Sequence, residues 1–508
     1  MYQSFIGLEV HIHLLTKTKG FCSCRSAFGD EPNANVCPGC LGYPGVLPTV
    51  NLEALRMSGM VARALNCTIP ELTWFERKQY FYPDIAKNYQ ITQFASPIGQ
   101  KGYFDIKGKS GGKDISKRIR IKECHLEEDA GKMIHSGAVS LLDYNRAGVS
   151  LLEIVTEPDM ETGEEAELFI QQLRRMVRYL GVCDGNMEEG SLRADANVSI
   201  NFPGKGLGKK VEIKNLNSSR FVKLGLNYEI TRQGVLLDEG KTVTQETRLW
   251  NENRDETFPM REKENANDYR YYPDPDLPVI APDAAFRKSI DDAMVELPLP
   301  RAGRIAAAYN LSDEQADTIC EEKAFADYFE DAAAKVIAIA GNYSCGGRTL
   351  QLTNAEAAAR VVNFLLQDVK HIMGKMGIDP GEIDSLKLTA QRLASLVVMT
   401  VSGKIGNKIA RQTLEAVIAE DRDPEEIVRE KGWELISDPA KIAEAVQQVA
   451  QKEAKTVTEA RAAAVNADSK RLRTLSAYLS GKVIAATNGR ADPAIVGKQI
   501  EALLSAQK

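Results

Sequence analysis

The sequence lacks several features that would assign it to a familiar class at once. Residues 1–4 carry no basic charge, and no long apolar segment follows them, so we expect no secretory signal peptide. No apolar run approaches the roughly 18 residues that a membrane-spanning helix needs. Neither a Gly-x4-Gly-Lys-Ser/Thr phosphate loop nor a Gly-x-Ser-x-Gly nucleophile motif occurs, and no cysteine lies in a glutaminase signature. These absences exclude a P-loop nucleotidase and a hydrolase of the Gly-x-Ser-x-Gly type.

The chain also lacks a strong net charge. It has 508 residues, with 64 Lys and Arg against 70 Asp and Glu, for a formal charge of -6. A protein that coats nucleic acid nonspecifically would be basic, so that class is disfavoured. Residues 439–508 are the exception, because they contain 11 Lys and Arg against 6 Asp and Glu, a net of +5. This asymmetry predicts a tail that meets an anionic partner.

The amino-acid composition changes along the chain and divides it into regions. A chain of 508 residues exceeds a single hydrophobic core, so two to four domains are expected. Up to about residue 290, glycine and proline punctuate short alternating segments that predict strands, including most of 188–250. Helical periodicity interrupts them at 51–65 and 164–180. The tetrapeptide 110–113 predicts a hairpin turn.

Beyond residue 290, alanine rises and helix-start signals appear at Ser312, Thr353 and Asp438. We therefore predict an α+β domain with a mixed or antiparallel sheet, then an all-α domain, then a small helical tail domain. The predicted domains cover 1–292, 293–410 and 411–508, and 298–304 is the predicted linker.

Four of the nine cysteines cluster near the start of the chain, in the pattern Cys-x-Cys, twelve residues, Cys-x-x-Cys. Two short chelating pairs at that separation can close a tetrahedral site of four thiolates, which suits zinc. Such a closed site would hold a fold rather than perform chemistry. The alternatives are reduced thiols packed in a loop, or a redox Cys-x-x-Cys pair. The four predicted ligands are Cys22, Cys24, Cys37 and Cys40.

The strand predicted at residues 5–14 has two very different faces. Side chains alternate between faces in a strand, so Glu9, His11 and His13 share one side. The other side is entirely aliphatic. A carboxylate with two imidazoles suits a metal ion, although single strand histidines are often only structural. An acidic run at Glu127 and Glu128 lies at the end of another predicted strand, where sites often gather.

Carboxylates with an imidazole suit Mg2+ or Mn2+ beside a phosphate-bearing substrate. Sequence spacing alone does not bring Glu128 to Glu9.

Taken together, the motifs of the first 280 residues resemble those of the B subunits of the glutamyl/aspartyl-tRNA amidotransferases. The second half resembles this family more weakly. The matching motifs are 7–11, 43–48, 77–84, 89–93, 125–132, 143–148, 151–159, 189–193, 214–218, 245–248 and 268–276. The resemblance implies a cradle-shaped α+β domain followed by helical domains, in a cytoplasmic protein.

The resemblance also implies a reaction. In this family, ATP phosphorylates the side-chain carboxylate of mischarged Glu-tRNA(Gln) or Asp-tRNA(Asn). Ammonia from the glutaminase (A) subunit then displaces phosphate, and a small (C) subunit completes the complex. The implied cofactors are Mg2+ or Mn2+ and a structural Zn2+, with ATP as a substrate; no membrane is implied. The alternative is a noncatalytic, zinc-stabilised tRNA-binding or assembly protein.

Residue roles follow from the resemblance and from charge type. It implies Glu9, His11 and Glu128 as Mg2+ ligands, with Glu127 as a further catalytic carboxylate. Charge type alone suggests that Lys78, Arg193 or Arg248 stabilises the transferred phosphoryl group. Residues that would support the metal or line an ammonia channel are Glu153, Asp195, Glu212, Lys214 and Asn215. Residues that would contact tRNA are Lys470, Arg471, Arg473, Lys482 and Arg490.

Overall fold

The structure is a computed structural model that describes residues 2–262, 269–345, 348–436, 438–466 and 468–505. The side chains of 261–262, 344–345 and 348–349 are outside the description, as is Asp268 of the motif at 268–276. The chain forms two compact units, residues 1–300 and 301–508. The predicted order of an α+β region with a mixed sheet followed by many helices is confirmed.

Strands dominate the first unit. They are β1 (Gln3–His13), β2 (Glu76–Gln79), β3 (Tyr89–Thr92), β4 (Gly99–Ser110), β5 (Lys113–Glu128), β6 (Lys132–Ser136), β7 (Val139–Asp143), β8 (Ser150–Thr156), β9 (Leu192–Asn201), β10 (Val211–Lys214), β11 (Glu246–Asn251), β12 (Glu256–Glu262) and β13 (Tyr272–Pro273). Its helices are α1 (Leu52–Ala64), α2 (Gly163–Tyr179), α3 (Ser219–Asp238) and α4 (Ala284–Ala293).

One large mixed sheet organises this unit. Within the described residues its order is β12-β11-β10-β9-β1-β8-β5-β3-β2-β13, β4 pairs with β5, and only the β10–β11 neighbours run parallel. β1 lies in the centre, with His11 opposite Glu153 of β8 and Arg193 of β9. Directly opposed residues of neighbouring strands point to the same face, so this register brings chemistry from distant segments together.

The sheet is apolar on one face and polar on the other. The apolar face packs on α1, α2 and α3 in one hydrophobic core. Its buried side chains in the central strands include Leu8, Val10, Ile12, Cys124, Leu126, Leu152, Ile154, Ala194 and Ala196. The alternation predicted for the first strand is therefore present in the fold.

Two predicted helices and one predicted hairpin turn are present in this unit. Asn51 caps α1 and Thr162 caps α2, so both helices begin where polar caps stand before apolar periodicity. Ser110 pairs with Lys113 across the predicted hairpin turn.

Two expectations were wrong. Helix α3 interrupts the region expected to be strands, and its start is signalled by the Ser218 hydroxyl, which caps Phe221 N. The predicted linker at 298–304 lies in helix α5 (Pro298–Tyr309), because proline is compatible with the first turn of a helix. Arg301 in this helix forms an ion pair with Glu330 at 2.7 Å.

The second unit is almost entirely helical. After α5 come α6 (Asp313–Ile319), α7 (Lys323–Asn342), a hairpin of β14 (Ser344–Cys345) and β15 (Arg348–Thr349), α8 (Asn354–Asn363), a π-helical turn (Phe364–Val369), α9 (Lys370–Met376), a 3-10 segment (Pro380–Ser385), α10 (Ala390–Val401), α11 (Asn407–Glu420), α12 (Pro424–Glu430), α13 (Pro439–Lys452), α14 (Ala454–Val465), α15 (Ser469–Ala486) and α16 (Pro493–Ser505).

Capping explains several of these helix starts. Ser312 and Thr353 each form a capping box, as their sequences predicted. The helices build two cores, one ending at Val428 and the other spanning Ile442 to Ile500. The domain boundaries at 292 and 410 stay predictions. In the part of the chain that is described, no helix has the length and apolar character needed to cross a lipid bilayer.

Candidate functional site

The polar face of the large sheet gathers the chemistry-bearing residues of the first unit. We define the polar face by the side chains that the strand registers align on it. They are Lys78 on β2; Glu123, His125 and Glu127 on β5; Glu153 on β8; Glu9, His11 and His13 on β1; Arg193, Asp195 and Asn197 on β9; and Glu212 and Lys214 on β10.

Three of these side chains form a compact group near the sheet centre, which we call the carboxylate–imidazole cluster: His11, Glu127 and Glu153. His11 Nε2 lies 3.7 Å from Glu153 Oε1 and 3.9 Å from Glu127 Oε1. One ligand atom from each of the three residues lies within 4.8 Å of the others. An octahedral Mg2+ site has ligand-to-ligand edges of about 3 Å, so the three side chains need close in only slightly around an ion.

The electrostatics of this cluster favour a cation. Burial and the neighbouring Glu153 carboxylate raise the pKa of Glu127, whose side chain is only 4% exposed. Burial likewise opposes ionisation of Glu153, but His11, His125 and Lys78 outweigh it and lower the pKa of Glu153. Two carboxylates in this proximity repel each other when ionised, and a divalent ion between them would remove that repulsion.

Lys78 and three tyrosines border the cluster. The Lys78 ammonium lies 5.0 Å from the Tyr269 ring centre and 5.9 Å from that of Tyr80. Burial, followed by the charge of Glu127, raises the pKa of Tyr80 well above its ordinary value. The pKa of Tyr271 rises in the same way, through burial and the charges of Glu127 and Glu153. The cluster is thus bordered by neutral aromatic groups with one cation among them.

Glu9 and Glu128, two of the metal ligands expected from sequence, lie outside this cluster. Glu9 is on the polar face, where its Oε1 accepts a hydrogen bond from Asn197 Nδ2 at 2.8 Å. Glu128 directly follows Glu127 in β5, so its side chain points to the opposite face. There it contacts Lys87 Nζ at 2.5 Å through Oε1 and 2.6 Å through Oε2. The structure therefore does not bring Glu128 to His11.

A second ionic group, not anticipated as a unit, adjoins the cluster where these strands end. Asp129 Oδ2 lies 2.6 Å from His13 Nε2 and 2.8 Å from an Arg193 Nη atom, and Arg146 Nε is 3.4 Å away. Although burial opposes ionisation, Arg193, His13 and Arg146 hold the pKa of Asp129 well below its usual range. The signal in the sequence was the same alternation, since Asp129 follows Glu127 by two residues.

The other expected residues spread along the polar face. Lys214 Nζ lies 2.6 Å from Asp195 Oδ2 and 3.5 Å from Glu212 Oε1. Asn215 follows β10 and donates to the carbonyl of Trp250 at 2.9 Å. Arg248 instead lies on the opposite face, bound to Glu246 and Thr257, so it is remote from the carboxylate–imidazole cluster in the sheet.

The four clustered cysteines converge, and we call them the thiolate cluster: Cys22, Cys24, Cys37 and Cys40. Their sulfur atoms all lie within 4.8 Å of one another. Zinc–sulfur bonds of about 2.3 Å set tetrahedral sulfur separations of about 3.8 Å, so the group fits a zinc ion after small movements. The Cys37 backbone N–H points to Cys40 Sγ at 3.2 Å, which also favours a thiolate there.

A buried lysine supports the negative charge of this cluster. Lys19 is fully buried, and its ammonium lies 3.7 Å from Cys40 Sγ and 3.2 Å from the carbonyl of Tyr144. A hydrogen bond from Cys22, then the Cys37 backbone and the Lys19 charge, lower the pKa of Cys40 to about 4 against the effect of burial. A buried ammonium needs an anion, and a zinc-bound tetrathiolate carries net negative charge.

The loop between the cysteine pairs is tied to the end of β7. Asn33 donates from its backbone to Asp143 and from its side chain to the carbonyl of Leu142. The Asn35 N–H donates to Asn145 Oδ1 at 2.8 Å. The thiolate cluster thereby fixes a segment that leads directly into β8 and Glu153.

The five residues expected to contact tRNA differ in their surroundings. Arg471 pairs with Glu459 at 2.9 Å, and Lys482 with Glu453 at 3.4 Å. Arg490 donates to the carbonyl of Gly432 at 2.7 Å and thereby holds two loops together. The exposed side chains of Lys470 and Arg473 make no hydrogen bond or ion pair within the described chain. They stand three residues apart on α15 and so share a side.

The comparisons with known proteins agree with this architecture. The family model for the GatB/GatE catalytic domain matches residues 4–288, and that for the GatB domain matches residues 350–504. The chain is 39% identical over 504 residues to the B subunit of aspartyl/glutamyl-tRNA(Asn/Gln) amidotransferase from Persephonella marina, covering 99% of each chain. It is 41% identical over 505 residues to the protein of the same name from Thermodesulfovibrio yellowstonii, again covering 99% of each.

A sheet with a carboxylate–imidazole cluster on its polar face, followed by helical domains, thus defines an enzyme subunit of the GatB type. The chain belongs to the family of aspartyl/glutamyl-tRNA(Asn/Gln) amidotransferase B subunits.

Proposed function

We propose that the protein is the transferase subunit of a tRNA-dependent amidotransferase in the cytoplasm. It phosphorylates the side-chain carboxylate of mischarged Glu-tRNA(Gln), Asp-tRNA(Asn) or both with ATP, and replaces the phosphate by ammonia. Family membership supports the reaction class. The observation that carries the catalytic assignment is the carboxylate–imidazole cluster, because it gathers metal-type ligands from three strands on one open face.

In this proposal His11, Glu127 and Glu153 hold the catalytic Mg2+ or Mn2+. The cluster fits by donor chemistry, since carboxylate oxygens suit Mg2+ and a neutral imidazole is compatible with Mn2+. When bound, the ion would supply positive charge that offsets the negative charge of the phosphate and carboxylate groups. Glu9 stands two residues from His11 on the same strand face and orients solvent or substrate beside the cluster through its contact with Asn197.

Lys78 and Arg193 supply the protein's own positive charge. Lys78 borders the cluster on the side of the tyrosines, and Arg193 stands opposite His11 on β9. Both can donate to oxygens of a phosphoryl group, whose charge develops during transfer. Arg193 uses one Nη atom on Asp129, and its Nε has no hydrogen-bond partner in the described chain. Asp129 and His13 hold the guanidinium toward this side.

The thiolate cluster holds a structural Zn2+ in this proposal. The four sulfur atoms would fill all the positions of a tetrahedral zinc and would leave none for substrate. Its function is to fix the cysteine loop, and through Asn33 and Asn35 the segment before β8.

Ammonia comes from a separate glutaminase subunit, with a small third subunit completing the complex. We propose that it crosses the polar face by way of Glu212, Lys214 and Asp195, which are already linked by short ionic contacts. Asn215 belongs to the entrance at the end of β10. The buried Oδ1 of Asn197 has no hydrogen-bond partner in the described chain, so it can accept a hydrogen bond from a passing ammonia molecule.

The basic tail grips tRNA through backbone contacts. Lys470 and Arg473 are the strongest residues for this role, because their charges are not compensated within the described chain. Arg471 and Lys482 would have to exchange their glutamate partners for phosphate, whereas Arg490 already serves the loop at Gly432. Contacts of this kind neutralise phosphates and make binding strongly dependent on salt.

The test is phosphate release from ATP by the reconstituted complex on addition of mischarged tRNA. The proposal expects release that depends on Mg2+ and on the mischarged aminoacyl group, followed by amide formation when glutamine is present. If the complex binds tRNA but releases no phosphate, the protein is instead a noncatalytic, zinc-stabilised tRNA-binding or assembly protein.

A further inference from the structure

Two consecutive glutamates at the end of β5 face two different clusters. Glu127 points to the polar face and joins the carboxylate–imidazole cluster. Glu128 points the other way and lines a small cavity of about 80 Å3 together with Cys22, Cys40 and Lys87. The end of one strand therefore lies between the two groups of metal-type ligands.

Glu128 holds this strand end to β3. Its side chain is 5% exposed, and its Oε1 accepts from the backbone N–H of Ile91 at 3.0 Å. Its own carbonyl accepts from Gln90 Nε2 at 2.7 Å. The backbone ladder between β3 and β5 is short, with a single paired position at Thr92 and Glu127. The hydrogen bonds of Glu128 therefore reinforce the short backbone pairing between β3 and β5 next to Glu127, the residue that faces His11.

Lys87 connects Glu128 to the cysteine loop. Its ammonium contacts both oxygens of Glu128, and its side chain is 11% exposed. The aliphatic part of Lys87 packs on Gly42, where an added Cβ would lie 2.8 Å from Lys87 Cγ. Gly42 follows Cys40 by two residues, and its backbone N–H donates to the carbonyl of Gly39 at 3.1 Å. The position of Lys87 therefore depends on the shape of the cysteine loop.

Gly148 makes a second connection. A Cβ at this position would lie 3.6 Å from Cys40 Cβ, from Glu128 Oε2 and from Lys19 Cδ. Gly148 also has a positive φ of 84°, which favours glycine. Cys40 of the thiolate cluster, the buried Lys19 and Glu128 thus lie around one backbone position, each at van der Waals distance from where a Cβ would stand.

We infer that Glu128 is a positioning residue that makes metal binding at His11, Glu127 and Glu153 depend on an intact thiolate cluster. When the four sulfurs hold their metal, the loop at Gly42 fixes Lys87, Lys87 fixes Glu128, and Glu128 fixes the end of β5 and so Glu127. This inference rests on the proposed function, because it takes both clusters as metal sites. It assigns Glu128 a role other than that of a ligand.

The experiment measures Mn2+ affinity by electron paramagnetic resonance of the free ion, together with zinc content, in the purified full complex. Glu128→Gln should weaken Mn2+ binding about tenfold at unchanged zinc content, as is typical for partners that orient metal ligands. Lys87→Met should do the same although it removes no oxygen ligand. Removal of zinc from the unmutated complex should also weaken Mn2+ binding about tenfold, and should add little in the Glu128→Gln complex.

The matched control is Asp105→Asn, which breaks an exposed ion pair with Arg118 on the hairpin formed by β4 and β5. It should leave Mn2+ affinity and zinc content unchanged. If Lys87→Met and zinc removal both leave Mn2+ affinity at the unmutated value, the inference is wrong while the proposed metal site stands. If the unmutated complex binds no Mn2+ at all, both the inference and the proposed catalytic metal site are overturned.

Discussion

The thiolate cluster and the carboxylate–imidazole cluster are built in opposite ways. The thiolate cluster comes from one loop, with its first and last ligands, Cys22 and Cys40, close in sequence. The carboxylate–imidazole cluster takes one residue from each of three strands, and Glu153 lies far along the chain from His11. The first comes together within one loop, whereas the second exists only because the sheet has formed.

The two clusters also differ in charge compensation. The thiolate cluster has a fully buried ammonium, Lys19, against one sulfur. The carboxylate–imidazole cluster holds two carboxylates, the buried Glu127 and the partly exposed Glu153, and the Lys78 charge lowers the pKa of both. Removing a ligand should therefore harm the stability of the first and the activity of the second, and this contrast can be tested in both directions.

The largest expected effect is on stability, at the thiolate cluster. Cys40→Ser removes one of the four proposed zinc ligands and leaves the buried Lys19 ammonium without its anion. We expect the free energy of unfolding to fall by about 3–5 kcal/mol, the usual cost of breaking a buried charge pair from one side. Chemical denaturation, read beside zinc content, measures it. An unchanged unfolding midpoint with full loss of zinc would refute the structural role.

The next effect is on activity, at the other cluster. Glu153→Gln should lower ATP-dependent amidation about 100- to 1,000-fold, since charge stabilisation by a metal is worth several kcal/mol and each 1.4 kcal/mol is tenfold. Stability should change little, because relief of the repulsion on Glu127 offsets the lost attraction of Glu153 to His11, His125 and Lys78. Glu157→Gln, just beyond β8, is the control and should stay active. Wild-type turnover in Glu153→Gln would contradict the assignment of this ligand.

Lys78 tests whether the protein's own charge acts beside the metal. Lys78→Met keeps most of the apolar stem but removes the ammonium at the cluster border. We expect turnover to fall about 100-fold with little change in the KM for tRNA, because the lost interaction forms with charge that develops during transfer. Steady-state amidation kinetics separate the two parameters. A rise in KM alone would place Lys78 in substrate binding instead.

A smaller effect should distinguish Glu9 from the cluster ligands. Glu9→Gln keeps an oxygen that can accept the Asn197 hydrogen bond but removes the negative charge. We expect turnover to fall only about tenfold, which is the smallest loss typical of residues that orient a metal site. Mn2+ affinity should change less than in Glu153→Gln. If Glu9→Gln abolishes Mn2+ binding, then Glu9 is itself a ligand, as its strand face first suggested.

The smallest effect belongs to the tail. The double substitution Lys470→Ala with Arg473→Ala should raise the KM for tRNA several-fold and reduce the salt dependence of binding by about two phosphate contacts. Turnover at saturation should not change. Arg471→Ala is the comparison, and it should do less because Arg471 already pairs with Glu459. If Arg471→Ala raises the KM for tRNA as much as the double substitution does, the overall positive charge of the tail matters rather than specific contacts of Lys470 and Arg473.

Much of the site could be predicted from sequence because strand alternation is a strong rule. It placed Glu9 and His11 on one face correctly. The same rule separates Glu127 from Glu128, which therefore cannot both face one metal; the expectation of Glu128 as a ligand beside His11 overlooked this. What the rule cannot supply is which strands are neighbours, so it did not place Glu153 beside His11 or Asp129 beside Arg193.

The fold was predictable where local signals agree with packing. Asn51, Thr162, Ser312 and Thr353 all cap helices that the sequence signalled. Helix α3 was missed because it lies among strand segments, although Ser218 offered a cap. The helix at Pro298 was missed because proline was taken as a break, whereas the first helical turn tolerates it.

The most direct test of the account is a crystal of the complex soaked in Mn2+, with anomalous scattering collected separately for manganese and zinc. The account predicts one manganese peak among His11 Nε2 and the carboxylates of Glu127 and Glu153, and one zinc peak among the four sulfurs. A manganese peak bound to Glu128, or none at the carboxylate–imidazole cluster, would contradict it.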